Sequence, residues 1–188
     1  LHCSVHSFPT RRSSDLLAAI DAVRARRRNG LPLIVSLTTV SAGNAARLTE
    51  IYERFRDRVD VFVFYLSWWI DAAAAAAHEQ DFAARFGTTP TLHRGWLGVP
   101  RPTDYAALDA QFTALRGLAR AADAPPVILL PDLTGETALA TYYTDHTARF
   151  GFDECISIYQ AAEIHSNGDL SPCRDYHDYR VGNVKEQT

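Results

Sequence analysis

Two short, nearly uninterrupted apolar runs, residues 33–40 and residues 59–66, constrain this chain more than any other feature. Both are rich in β-branched and aromatic side chains. Runs of that length and composition predict strands buried on both faces, as in parallel sheets. Between them, Leu48, Ile51, Tyr52 and Phe55 fall on one face of a helix that runs down to Arg58, with Asn44 as its expected N-cap. An earlier helix is expected over residues 17–28, where Leu17, Ile20 and Val23 share a face. Arg24 to Arg28 make its last turn basic, and Asn29-Gly30 stops it. Helix, strand, helix, strand with short links predicts an α/β fold with parallel strands.

The pattern continues with a helix over residues 72–86, capped by Asp71 and closed by Gly87. A loop rich in Pro and Gly follows over residues 88–103, carrying His93 and Trp96. A helix is expected over residues 105–120, a third strand over 127–130, and a last helix over 137–150 stopped by Gly151. The tail is different in kind. Residues 161–165 and 170–173 flank Ser166-Asn167-Gly168-Asp169, and this reads as a β-hairpin with Asn-Gly supplying a tight turn. Polar and aromatic residues 174–179 and then Val181-Gly182-Asn183-Val184 complete the chain.

Of the 188 residues, 47% are hydrophobic and 22% charged, which excludes a disordered chain. A net charge of -3 gives no basic field for nucleic acid or an anionic membrane. The most apolar window, residues 59–77, is broken by Asp60 and Asp71 and does not read as a membrane span. A soluble, cytoplasmic protein is the expectation. There is no Met, and Lys185 is the single Lys among 19 basic residues. The missing Met suggests a start inside a longer reading frame. Residues 6–16, His-Ser-Phe-Pro-Thr-Arg-Arg-Ser-Ser-Asp-Leu, resemble the translation of a sequencing-library adapter, so residues 1–16, with Cys3, are expected to be an artefactual or disordered leader.

The chemistry-bearing pattern lies near the carboxyl end. Cys155 is followed by twelve residues, Gly168, four residues and Cys173, set in Asn167-Gly168-Asp169-Leu170-Ser171-Pro172-Cys173 and followed by Gly182-Asn183-Val184. Soft thiolates at fixed separation suit an iron–sulfur cluster. This arrangement resembles the front half of a SPASM domain, the cluster-binding extension of radical SAM enzymes. The resemblance implies that Cys155 and Cys173 ligate an auxiliary four-iron four-sulfur cluster, the family's further cysteines lying beyond this segment.

Upstream, residues 17–70 resemble the C-terminal part of a partial (β/α)6 TIM-like barrel. Residues 71–151 would be a bridging α/β segment and residues 152–188 the first half of the SPASM-like domain. Ser36, Thr38, Asn44 and Ser67, on or just after the strands, would approach S-adenosylmethionine. The resemblance implies a parent enzyme that cleaves S-adenosylmethionine to a 5′-deoxyadenosyl radical. It would modify a peptide or small-molecule substrate and draw electrons from a reductant such as flavodoxin or ferredoxin. The earlier three-cysteine loop of that family, Cys-x3-Cys-x2-Cys, has no counterpart here, because the cysteines are Cys3, Cys155 and Cys173. The segment alone is therefore expected to be inactive, and no catalytic residue is assigned.

Other readings of the same residues remain open. Cys155 and Cys173 can be buried thiols, and a zinc site with His165 or His177 is open although the spacings do not match the usual patterns. Ser36, Thr38, Asn44 and Ser67 can each serve local backbone, and Trp68-Trp69 core packing. A non-catalytic iron–sulfur module and a barrel hydrolase using Asp132 or Glu136, which follow a strand end, are the rival functions.

Overall fold

The computed structural model describes residues 13–173 and 176–186. Their contacts divide them into two units. One comprises the described residues up to Ser67 together with Pro100–Thr144; the other comprises Trp68–Val99 and Asp145 onward. The segment expected as a bridge is thus shared between them.

In the first unit, helix α1 (Ser13–Ala25) precedes strand β1 (Val35–Val40), helix α2 (Leu48–Phe55) and strand β2 (Val61–Leu66). After the excursion into the second unit come helix α4 (Tyr105–Leu118), strand β3 (Val127–Leu130) and helix α5 (Glu136–Thr144), helix α3 (Ala72–Phe86) belonging to the other unit. The three strands form a parallel sheet in the order β1-β2-β3, with Leu37 opposite Val63 and Val63 opposite Ile128. The α/β class with parallel strands is as the sequence implies.

The sheet is not buried on both faces. Phe62, Phe64 and Leu66 are fully buried with Val40 and Leu129, and they share the core with Leu48 and Tyr52 of α2, Leu108, Phe112 and Leu115 of α4, and Leu139 and Tyr143 of α5. On the opposite face Leu37 is 67% exposed and Val35, Ile128 and Leu130 about half exposed. Side chains alternate across a strand, and among the described residues the α2–α4–α5 helices bury only one set. The first unit is therefore a two-layer stack with one apolar sheet face open.

Local chemistry sets the boundaries. Asp60 begins β2 by accepting from Ile34 N at 2.6 Å while Arg27 grips both carboxylate oxygens, so the end of α1 and the starts of β1 and β2 meet at one carboxylate. That clasp holds the Asp60 carboxyl below its usual range, Arg27 contributing most. The segment α1 starts at Ser13, four residues before the expected helix and inside the expected leader. Helix α2 starts at Leu48 and not at Asn44. Its Thr49 N–H and hydroxyl both donate to Gln111 Oε1 of α4 at 3.0 Å, so a tertiary partner replaces the local cap. Helix α5 stops at Thr144, short of the expected Phe150, because Asp145 accepts from the N–H and hydroxyl of Thr147 and turns the chain.

In the second unit, α3 (Ala72–Phe86) is capped as expected: Asp71 accepts from Ala74 N at 2.7 Å and Gly87 adopts φ +69°. The Pro/Gly-rich loop contains a 3-10 turn, Leu92–Trp96, whose first N–H groups are received by Asp178 Oδ2 at 3.0 Å. Tyr176 and Tyr179 pack on α3 through His78 and Phe82, and Trp68 stacks edge-on against Trp96. The loop is packed by its own side chains: His93 is fully buried and Trp96 sits between Trp68 and Tyr176.

His78 and His93 face each other, ring centroids 4.9 Å apart. His93 Nε2 meets Glu79 at 3.0 Å, and Glu79 also binds Arg94. Among the described residues, His78 Nε2 and His93 Nδ1 are buried without a hydrogen-bond partner. Burial first, then His93, pushes the His78 pKa down, against weaker pulls from Asp178, Asp81 and Glu79.

Two outcomes follow from this packing. Replacing Phe62 by Ala empties the centre of the first unit and should cost about 3–5 kcal/mol, to be read in the denaturation midpoint. Because His78 resists protonation when folded, the second unit is fully stable above the ordinary His pKa of ~6.5 and loses stability as pH falls through it. His78→Phe should flatten that acid-side slope in a pH series of melting curves.

Candidate functional site

The carboxyl-terminal pattern folds into a small antiparallel sheet of β4 (Glu163–Ile164), β5 (Asp169–Ser171) and β6 (Gly182–Asn183), in that order. Glu163 pairs with Ser171 and Asp169 with Asn183. The hairpin is present, but its turn is of a different type. Gly168 has φ +95° whereas Asn167 is not in the left-handed region. Gly168 N donates to His165 O at 2.8 Å and His165 N to Asp169 O at 2.9 Å. Ser166, Asn167 and Gly168 thus form a three-residue loop, a reverse turn followed by one left-handed glycine, in place of a two-residue Asn-Gly turn. Asn167 stabilises it through its side chain, accepting from Asp169 N at 3.1 Å.

The Gly182-Asn183-Val184 triplet, which the sequence offered only as a flanking motif, supplies the third strand. Asn183 is nearly buried; its amide donates to Asp169 Oδ1 at 2.8 Å and its oxygen accepts from Lys185 N at 2.8 Å. Val184 N returns to Gly168 O at 2.8 Å. A Cβ at residue 168 would lie 2.8 Å from Asn183 Oδ1 and 3.0 Å from Lys185 Cγ. Gly168 is thus required twice, for its φ angle and for the space that Asn183 occupies. Hydrogen bonding from Asn183 above all, then Asn167 and the nearby Arg180, keeps the Asp169 carboxyl below its usual range against partial desolvation.

Cys173 follows β5 after Pro172 and is half-buried. Its carbonyl accepts from Ser171 Oγ at 2.9 Å and from Tyr176 N at 3.2 Å, so the peptide carrying it is held at one end. Cys155 is exposed, ahead of the short helix α6 (Ser157–Gln160), among the exposed side chains of Phe152, Ile156 and Tyr159. His165 and His177 lie in tilted contact with ring centroids 3.8 Å apart, and His165 Nε2 is engaged by Ser171 Oγ at 2.9 Å. Among the described residues no three His, Cys, Asp or Glu side chains are grouped to hold a metal ion. The thiol chemistry suits iron–sulfur ligation. Cys155 and Cys173 offer two thiols of that chemistry and do not complete a four-thiolate set by themselves.

The residues suggested for S-adenosylmethionine are scattered. Ser36 and Thr38 project from β1 on the same side as Val40, the side of the core, their hydroxyls 3.5 Å apart. Asn44 spans the turn after β1, accepting from Ser41 N at 2.9 Å and donating to Thr39 O at 2.8 Å, and it lines a groove of about 330 Å³ with Arg47, Ile51 and Phe55. Ser67 directly follows β2, is buried, and lies 3.4 Å from the Tyr143 hydroxyl. Asn44 and Ser67 thus occupy the carboxyl edge of the parallel strands, while Ser36 and Thr38 lie within β1. Asp132 is an exposed partner of Arg116 at 2.6 Å, and Glu136 is exposed in the first turn of α5. Neither is set up as the buried acid of a hydrolase.

The clamp is open to a direct check. Gly168→Ala forces a left-handed alanine against Asn183 and should cost about 1–3 kcal/mol locally. Amide exchange at Val184 and Lys185 should accelerate accordingly.

Comparison with known proteins adds one finding. No curated protein and no solved structure matches the chain. Residues 155–188 match the SPASM family, described as an iron-sulfur cluster-binding domain. The match opens on Cys155 and takes in Gly168, Cys173 and Asn183, so the carboxyl-terminal segment of this chain carries the signature of iron–sulfur cluster binding.

Proposed function

We propose that this chain is part of a radical SAM enzyme and that Cys155 and Cys173 are two of the thiolate ligands of an auxiliary four-iron four-sulfur cluster. The single observation that carries this reading is the coincidence of the SPASM match with the folded clamp. The matched segment begins at one cysteine, and the Gly168–Asn183 contact orders the hairpin that ends at the other.

The first unit supports the barrel part of the reading. Its strands are parallel and in sequence order, its core helices pack on one face, and its other face is apolar and open, as the wall of a partial barrel is. S-adenosylmethionine would approach the carboxyl edge of those strands, where α/β folds bind ligands and where Asn44 and Ser67 lie. Ser67 would act there through Tyr143, since its own hydroxyl is buried. Ser36 and Thr38 would contribute only by shaping β1.

When bound, an iron–sulfur cluster supplies one-electron chemistry that amino-acid side chains lack. What the protein contributes is geometry. The hairpin fixes the backbone of Cys173, and the anchoring of Tyr176 and Tyr179 on α3 ties the segment after it to a rigid helix. The substrate, a peptide or a small molecule, and a reductant of the flavodoxin or ferredoxin kind belong to the same proposal.

Anaerobic reconstitution with iron and sulfide tests it, carried out on the longer protein proposed here, which supplies the remaining thiolates of the set. The wild type should turn brown and retain both elements on a desalting column, and Cys155→Ser or Cys173→Ser should lose most of the iron of the auxiliary cluster. A wild type that stays colourless overturns the reading. The 188-residue chain by itself should form no 5′-deoxyadenosine from S-adenosylmethionine, because this sequence has no Cys-x3-Cys-x2-Cys loop.

A further inference from the structure

One side-chain network beside Cys173 belongs to neither the hairpin ladder nor the Gly168 clamp. Ser171, at the end of β5, is fully buried. Its hydroxyl donates to the carbonyl of Cys173 at 2.9 Å and lies 2.9 Å from His165 Nε2. A hydroxyl has one proton, and that proton is committed to Cys173 O. The second contact is then satisfied only with His165 Nε2 as the donor, which fixes the imidazole with its proton on that nitrogen. The His165 ring is braced on its other side by His177.

A relay thus runs from His165 across the hairpin through Ser171 to the peptide that carries the thiol. The two residues stand at the two ends of the hairpin, before and after the Ser166–Gly168 loop. Cys173 O also receives Tyr176 N, so one oxygen is the junction between the hairpin and the segment anchored on α3.

We infer that His165 and Ser171 are positioning residues for Cys173. They hold its backbone so that the thiolate is presented in one orientation. In this role neither touches the cluster: His165 Nε2 donates to Ser171 Oγ, and Ser171 donates to the carbonyl of Cys173. This rests on the proposed cluster ligation by Cys173 and adds to it the residues that orient the ligand. Partners of this kind around metal sites tune affinity without touching the metal, and their loss costs roughly 10- to 100-fold.

The test uses four forms, wild type, Ser171→Ala, His165→Leu and His165→Gln, in the 188-residue chain for amide exchange and in the longer protein that completes the thiolate set for iron. The glutamine amide can still donate to Ser171, and position 165 is only half-buried, so the His165 pair separates hydrogen bonding from folding. The first readout needs no metal: hydrogen exchange at the Tyr176 amide, which reports on the Cys173 carbonyl. Exchange should quicken about 10-fold or more in Ser171→Ala and His165→Leu and stay near wild type in His165→Gln. The second readout is the rate at which a chelator strips iron from the longer protein reconstituted with iron and sulfide. It should rise roughly 10- to 100-fold in the same two variants, with rescue by glutamine.

A wild type that binds iron, with all variants equal to it in both readouts, overturns the positioning role and leaves the ligation intact. A wild type that takes up no iron overturns the ligation. Amide exchange then still decides whether the relay orders Cys173, and unchanged exchange overturns that too.

Discussion

A missing methyl group at residue 168 governs the carboxyl-terminal part of this chain. The space a Cβ would need is filled by the carboxamide of Asn183, and that carboxamide ties β6 to β5 through Asp169 and holds the turn after β6 through Lys185 N. Two- and three-residue strands cannot hold themselves together through ladder hydrogen bonds alone. Here a buried, fully used amide replaces the core that such a small sheet lacks. The position of Cys173 follows from it, because β5 ends two residues earlier and its last side chain holds the cysteine's own carbonyl.

The same economy governs the segment beyond Cys173. Tyr176 and Tyr179 find their apolar partners on α3, and Asp178 caps the 3-10 turn of the loop that follows it. The helix and loop that sequence alone left as an anonymous bridge are the platform on which the tail is built. On α3, His78 and the buried Phe82 provide the rings that the tyrosines meet.

In the first unit the governing fact is alternation. Apolar runs such as residues 33–40 are read as doubly buried because every residue in them tolerates burial. Tolerance is not a partner, however. Phe62, Phe64 and Leu66 meet the helices, while Leu37, Ile128 and Leu130 meet none among the described residues. The rows of large exposed side chains on that face make the open side a property of the packing and not of composition.

What the sequence determined on its own is what depends on neighbours along the chain. The parallel α/β order came from periodicity, the cap of α3 from Asp71, its stop from Gly87, and the iron–sulfur signature from the spacing of Cys155, Gly168 and Cys173. What only the tertiary structure decided is whatever depends on residues far apart in the chain. Gln111 displaces Asn44 as the partner of the α2 amino end, Asn183 turns a flanking motif into a third strand, and α3 joins the tail. A local signal names the groups that need partners, and distant segments compete to supply them. The winner is set by the geometry of the folded chain, which no window of the sequence contains.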